Sequence, residues 1–257
     1  MIAETERDPW YASWFGEEYL ALYPDRDDQE AERQADFALR VLAPYAARGR
    51  GGILDLACGT GRHAVALRRG EAPVTGLDLS APLLRRARAR RAAPAPSLVR
   101  ADMRRLPFAR GAFGAVVNFF TSFGYFDEPA DDVRVLSEVA RLLAPGGAFL
   151  SDVFNATRVL STLVSREEKT VADERVAIRR SYDPATRRLE KEITMGTGPA
   201  ARTFRERVRV YLREELEALH RDARLTVTAA WGDFDGSPFD ARRSPRLILL
   251  AVAGSER

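Results

Sequence analysis

The 257-residue chain has one cysteine, two histidines and two lysines, and each scarcity removes a class of chemistry. A lone thiol, Cys58, closes no disulfide within the chain and has no CxxC partner, so thiolate metal centres and dithiol redox chemistry are excluded. Any mechanism that needs an imidazole base has two candidates, His63 and His220. No apolar run approaches the roughly 20 residues needed to cross a bilayer. The opening MIAETERDPW is acidic where a secretory leader is basic and then greasy. The expectation is a soluble, cytoplasmic protein with no membrane partner. Forty basic residues against 37 acidic ones leave a net charge of only +3, which is no nucleic-acid signature. The basic residues are nearly all arginine, with Lys169 and Lys191 the only lysines, a bias read as genome composition and given no functional weight. What remains, 46% hydrophobic and 30% charged, suffices for one large domain or a domain with an elaboration.

Along the chain, an aromatic-rich segment (Trp10, Tyr11, Trp14, Phe15, Tyr19, Tyr23) precedes a helical stretch from Glu30 to Ala47. Phe37, Val41 and Leu42 lie on one side of that stretch, and Gly49, Gly51 and Gly52 end it. The aromatics either pack on the body of the domain or cover a bound ligand. From Ile53 short apolar strands alternate with helical patterns. The strands are Ile53 to Ala57, Val74 to Leu77, Ser97 to Arg100, Ala115 to Phe120 and Ala148 to Val153, and a well-marked helix spans Ala130 to Leu143. Such alternation predicts a parallel sheet covered on both faces, a doubly wound α/β fold. The cluster Arg85, Arg86, Arg88, Arg90, Arg91 is read as a solvated helix face. After Asn155 the texture changes. Val176 to Tyr182 and Leu189 to Met195 form a hairpin about Asp183, Pro184 and Ala185, and Phe204 to Tyr211 supplies a third strand. This small antiparallel sheet is an insertion. A helix from Arg213 to Arg221 and two strands, Leu225 to Trp231 and Arg246 to Val252, then return to the main sheet, giving seven strands, mostly parallel, with an antiparallel edge. The expected division is 1–155, 156–212 and 213–257.

The most informative stretch is ILDLACGTGRHAVAL, where a buried strand carrying Asp55 runs through Gly59, Thr60 and Gly61 into a helix. Glycines at a helix N-terminus let backbone approach a ligand, and Asp78 ends the next strand about 20 residues on, where ribose hydroxyls bind. Two chemistries share this plan. Gly59, Gly61 and Ala64 satisfy the dinucleotide pattern, but Asp55 ahead of them is poorly placed for a pyrophosphate and well placed near an ammonium. Spacing alone leaves both open.

With the flanking segments added, residues 53 to 155 resemble the class I S-adenosylmethionine-dependent methyltransferases. DLACGTG matches the first motif, with Ala57 in place of its usual first glycine. LDLS matches the ribose-binding motif, RADMRRLPF the adenine-bracketing segment, and GAVVNFFTSFGYF and LLAPGGAFLSDVFN follow in order. The resemblance implies that Asp55, Ala57, Cys58, Gly59 and Gly61 line the methionine part of the cofactor, that Asp78 holds the ribose and that Leu79 packs on adenine. It implies further that Asp102 accepts from the adenine amino group with Met103 against the ring face, and that Asn118 and Phe119 lie under the sulfonium. Tyr11 and Tyr19 are added as cofactor contacts from the N-terminal segment.

Methyl transfer from a sulfonium is an in-line displacement that needs alignment more than acid or base catalysis. No catalytic base is therefore assigned, His63 being the candidate if one is used. His220 is expected to be a surface or core residue. The Asn/Asp-Pro-Pro-aromatic turn of base-directed nucleic-acid methyltransferases is missing, since the fourth strand ends Asn118, Phe119, Phe120, Thr121, Ser122. The insertion is expected to form a lid over a small-molecule acceptor. Ser122, Phe123 and Tyr125, with Asp233 and Asp235 in the loop between the last two strands, are the acceptor candidates. The expected protein transfers a methyl group to an N or O atom of a small molecule, as a monomer or homodimer, without metal. A nicotinamide-dependent oxidoreductase and a non-catalytic cofactor-binding regulator are the alternatives.

Overall fold

Strands that are apolar on both faces must be covered on both, and the chain supplies helices in pairs to do so. The structure is a computed structural model that describes residues 9–23, 28–90 and 92–254. Arg91 of the arginine cluster and the acidic opening through Asp8 lie outside the described residues. Three helices, α1 (Trp10–Trp14), α2 (Glu17–Leu22) and α3 (Asp28–Ala46), precede β1 (Ile53–Leu56). The alternating part follows as α4 (Arg62–Leu67), β2 (Val74–Asp78), α5 (Ala81–Ala89), β3 (Ser97–Arg100), β4 (Phe113–Asn118), α6 (Pro129–Leu142) and β5 (Leu143–Phe154). Next come α7 (Ala156–Ser161) and four strands, β6 (Arg166–Val171), β7 (Glu174–Asp183), β8 (Arg188–Met195) and β9 (Arg202–Arg209). The chain closes with α8 (Arg213–Asp222), β10 (Leu225–Trp231) and β11 (Arg246–Ala253).

The main sheet has seven strands in the order β10-β11-β5-β4-β1-β2-β3. β3, β2, β1, β4 and β5 run parallel, whereas β11 pairs antiparallel with both β5 and β10, so β10 takes the edge. Side chains of one strand part to two cores with a period of two. Leu54, Leu56 and Val116 pack with Leu136, Val139 and Leu216 from α6 and α8. Ile53, Ala115 and Val117 pack with Phe37, Ala38 and Leu67 from α3 and α4. Strand order reverses between β1 and β4, and in open α/β sheets the crevice at that point, beyond the carboxyl ends of the strands, is where ligands bind.

Three differences from the sequence reading have physical causes. The core stripe of α3 is built largely from small residues, Ala31, Ala35 and Ala38 beside Phe37 and Leu42, while Val41 is only half-buried. The fourth strand stops at Asn118 because Phe120 and Thr121 both turn left-handed, with φ of 63° and 60°. The small sheet has four antiparallel strands where three were expected. Its extra member β6, REEKTV, is charged along most of its length and leaves no apolar alternation to see. Among the described residues no helix is long and apolar enough to cross a membrane.

The C-terminal end of α3 lies directly on β4. A Cβ at Gly114 falls 2.2 Å from the Tyr45 carbonyl oxygen and 2.6 Å from that of Ala46. Backbone cannot yield as a flexible side chain does, so Gly114→Ala should lower the unfolding free energy by about 1–3 kcal/mol in urea titration. An unchanged midpoint would contradict this packing.

Candidate active site

The carboxyl edge of the parallel strands opens on one large cavity, about 1080 Å³. Its floor is the loop from β1 to α4. Ala57, Gly59 and Gly61 all adopt left-handed backbone, with φ of 61°, 55° and 73°. Alanine tolerates this less well than glycine, a local strain of the kind held at functional sites. A Cβ built on Gly59 meets nothing closer than Leu83 at 3.9 Å, so the loop faces open space at that point.

The tip of β2 organises this floor. Oδ2 of Asp78 accepts from the Gly59 N–H and Oδ1 from the Ser80 N–H, both at 2.8 Å. Ser80 caps α5 by accepting from the Leu83 N–H at 3.2 Å and donates to the Phe15 carbonyl at 2.5 Å. Beneath the loop sits Asp55, 1% exposed, with Oδ2 lacking a partner among the described residues. Burial, and then the charge of Asp78, push its carboxyl up to about 7, against the Ala64 N–H and Arg62. Burial also raises Asp78. Two carboxylates in one dry corner make it hungry for positive charge. Cys58 lines the same floor as a thiol driven up by burial and by the two aspartates.

At the end of β3, Asp102 and Met103 line the cavity. Burial pushes Asp102 up, but hydrogen bonds and charge from Arg104 outweigh it and hold the carboxylate low. Arg104 also bonds Asp131 at 2.7 Å and lies over the Phe126 ring. The turn after β4 forms the opposite wall. Its strained residues are tied to β5, with the Phe120 N–H donating to Asp152 Oδ2 at 2.8 Å and the Thr121 N–H to the Asp152 carbonyl at 2.9 Å. Arg246 of β11 completes the clamp, bonding Asp152 Oδ1 at 2.7 Å and Thr121 Oγ1 at 3.0 Å.

Of the residues expected at the site, Tyr11, Tyr19, Ala57, Cys58, Gly59, Asp78, Leu79, Asp102, Met103, Phe119, Ser122 and Tyr125 line this cavity. Asp55, Gly61 and Asn118 lie outside the lining. Asn118 ties β4 to β1 by donating to the Leu56 carbonyl at 2.8 Å. His63 lines the cavity but is buried, at 2.5 Å from Gln34 Oε1 and stacked on Phe119 with ring centroids 4.3 Å apart. His220 is a core residue bonded to the Leu216 carbonyl, its imidazole held low by burial.

Three acceptor candidates are corrected. Phe123 belongs to the core beside Tyr211. Asp233 and Asp235 stay off the cavity because their carboxylates accept from the Phe234 and Ser237 N–H groups of their own turn. That loop is also held away by Asn155, whose Nδ2 donates to the carbonyls of Ala241 and Ser244.

The N-terminal aromatics divide between packing and the cavity wall. Trp14 is buried against the small sheet and donates to Glu206 Oε1 at 2.8 Å, whereas Trp10, Phe15 and Tyr23 also line the cavity. Arg180, Lys191 and Glu206 of the small sheet, and Arg246, are cavity residues that the sequence reading missed. Their partners lie up to 192 residues away, and no local pattern marks them.

A Rossmann-like sheet with a glycine loop, an acidic second-strand tip and a ligand-sized cavity defines a nucleoside-cofactor protein. The comparisons with known proteins make it specific. A methyltransferase domain matches residues 53–147. The cypemycin N-terminal methyltransferase of Streptomyces sp is 27% identical over 201 residues, 77% of this chain and 82% of that protein. The dTDP-3-amino-3,4,6-trideoxy-alpha-D-glucopyranose N,N-dimethyltransferase of Streptomyces venezuelae is 32% identical over 162 residues, 60% of this chain and 65% of that protein. Other alignments are shorter, so that the chain spans about half the length of some curated relatives, such as YqeM of Bacillus subtilis, 34% identical over 49% of this chain and 50% of that one. Among solved structures, the CcbJ methyltransferase of Streptomyces caelestis superposes with a TM-score of 0.75 at 23% identity, covering 92% of this chain and 96% of that one. Residues 53–147 thus match a methyltransferase domain, and together the comparisons support a class I S-adenosylmethionine-dependent methyltransferase.

The residues present fit that cofactor. The orphaned Asp55 oxygen and the raised Asp78 carboxyl mark a corner suited to a sulfonium and an ammonium, and unsuited to a dinucleotide pyrophosphate. A carboxyl raised in the folded state contributes stability below its unfolded value near 3.8 that is lost as pH rises through about 7. In the ligand-free protein Asp55→Asn removes this loss. The melting temperature of the variant minus that of the native protein should therefore climb between about pH 4 and pH 7 and level off above that. A flat difference would remove Asp55 from the dry corner.

Proposed function

We propose that the protein transfers a methyl group from S-adenosylmethionine to the amine nitrogen of a small molecule. The single observation that carries this reading is the composition of the cavity wall. The glycine loop, Asp78 and Asp102 line it together with Arg180, Leu189 and Lys191 of the small sheet and Trp10 and Tyr19 of the N-terminal segment. A volume of about 1080 Å³ exceeds the usual range for one drug-sized ligand, which leaves room for an acceptor beside the cofactor. In this reading the small sheet acts as a lid over the acceptor. A relative named as an amino-sugar N,N-dimethyltransferase and one named as an N-terminal methyltransferase support nitrogen over oxygen.

In this reading Asp78 accepts from the ribose hydroxyls with lone pairs that its two backbone partners leave over. Asp102 and Met103 bracket the adenine, and the loop from Ala57 to Gly59 carries the methionine end. Phe119 and the clamped turn after it set the line of attack. The bound donor supplies an electrophilic methyl carbon and a neutral thioether leaving group. The protein's part is alignment and exclusion of water, since an unprotonated amine needs no base. His63 serves to hold Phe119 in place through its stack and its bond to Gln34.

Incubation with methyl-labelled donor and a panel of small primary and secondary amines, amino sugars and short peptides included, should give label on nitrogen for at least one small amine. Labelling confined to duplex DNA, RNA or folded protein would contradict the reading.

A further inference from the structure

The four strands of the lid turn one face to the cavity and the N-terminal segment. On that face, residues in register form rows across the sheet. Ile178, Ile193 and Phe204 make an apolar row that packs on Trp14 and Tyr19. Two residues further along each strand, Arg180, Lys191 and Glu206 stand directly opposite one another. In the next row Leu189 and Val208 are apolar again and line the cavity. A charged row thus lies between two apolar ones, on the inner side of a lid. Its side chains are only 21%, 16% and 20% exposed, and all three line the cavity.

The same patch collects both lysines of a chain that otherwise uses arginine. The ammonium groups of Lys169 and Lys191 lie 5.5 Å and 5.2 Å from the centre of the Tyr23 ring, and Lys191 also meets Glu206 Oε2 at 3.3 Å. Arg180 bonds Glu167 Oε2 at 2.6 Å and the Val164 carbonyl at 3.3 Å. Three cations, Lys169, Arg180 and Lys191, face two carboxylates, Glu167 and Glu206, so the patch carries one positive charge in excess. A guanidinium has five N–H donors, and these two bonds leave Arg180 three more among the described residues. A partly desolvated cation with spare, planar donors is a receptor for a carboxylate or phosphate oxygen pair.

We propose that the lid's charged row binds an anionic group of the methyl acceptor, with Arg180 as the principal contact and Lys191 beside it. The substrate class is then a small amine that also carries a carboxylate or a phosphate. Binding the charge under the lid leaves the amine end to reach toward the turn after β4. This inference rests on the small-molecule methyltransferase reading above.

The test is calorimetry on the full chain saturated with S-adenosylhomocysteine, so that the cofactor's own carboxylate is already in place. Inorganic pyrophosphate and succinate are titrated separately at constant ionic strength, which distinguishes a phosphate site from a carboxylate site. At least one should bind saturably, and Arg180→Gln should weaken it by about tenfold or more while leaving S-adenosylhomocysteine affinity within about twofold. Arg179→Gln, one residue away on the outer face, should leave the anion's affinity unchanged. Anion binding that is absent, or indifferent to Arg180→Gln, overturns the lid site alone, as does loss of S-adenosylhomocysteine affinity in that variant. Failure of the native protein to bind S-adenosylhomocysteine overturns instead the reading of the cavity on which the proposal rests.

Discussion

The carboxylate of Asp78 holds the site together. One oxygen fixes the glycine loop through Gly59, and the other fixes the start of α5 through Ser80, whose hydroxyl in turn anchors the N-terminal segment at Phe15. Three stretches far apart in sequence are thereby set against one another by a group only 9% exposed. The cost of keeping that charge dry is offset only in part by two backbone N–H bonds, which leave lone pairs over. Asp55, one layer down, adds a second buried carboxylate and gives the corner a negative field. The class of cofactor follows from that field more than from the glycine spacing, which a dinucleotide fold shares.

Around this corner the walls are set by different means. The turn after β4 is strained, with Phe120 and Thr121 left-handed in succession, and it persists because Asp152 and Arg246 over-determine it. The N-terminal aromatics are held by the small sheet as much as by the core, since the Trp14 indole donates to Glu206 while its ring packs on Phe204 at 4.7 Å. Asp132, fully buried on α6, accepts from the Tyr211 hydroxyl at 2.5 Å and ties the segment that leaves the small sheet back to the core. The small sheet is thus joined to the main sheet's layers by specific polar bonds at its inner face and at its exit.

Much of the parallel core was legible because buried parallel strands are short, apolar and regularly spaced, and because the residues that the resemblance marks as cofactor contacts sit at or near strand tips. Asp78 closes β2, Asp55 lies one residue before the end of β1 and Asp102 two residues past the end of β3. The glycine loop was legible because its conformation restricts its residue types. The missed cavity residues share one property, dependence on a distant partner. Arg246 with Asp152, Lys191 with Tyr23 and Arg180 with Glu167 are contacts that no local pattern encodes. Asp233 and Asp235 looked like site residues for the converse reason, since a carboxylate that caps its own turn has the same sequence appearance as one that faces a ligand. Strand β6 was missed because a charged, half-exposed strand carries no apolar alternation.

The central claim is that the Asp55 and Asp78 corner receives a sulfonium nucleoside and rejects a dinucleotide. Parallel calorimetric titrations of the purified protein with S-adenosylmethionine, S-adenosylhomocysteine and NADH test it most directly. The account predicts micromolar binding of the first two and none of the third. NADH binding in the absence of both others would contradict it and turn the site toward hydride transfer.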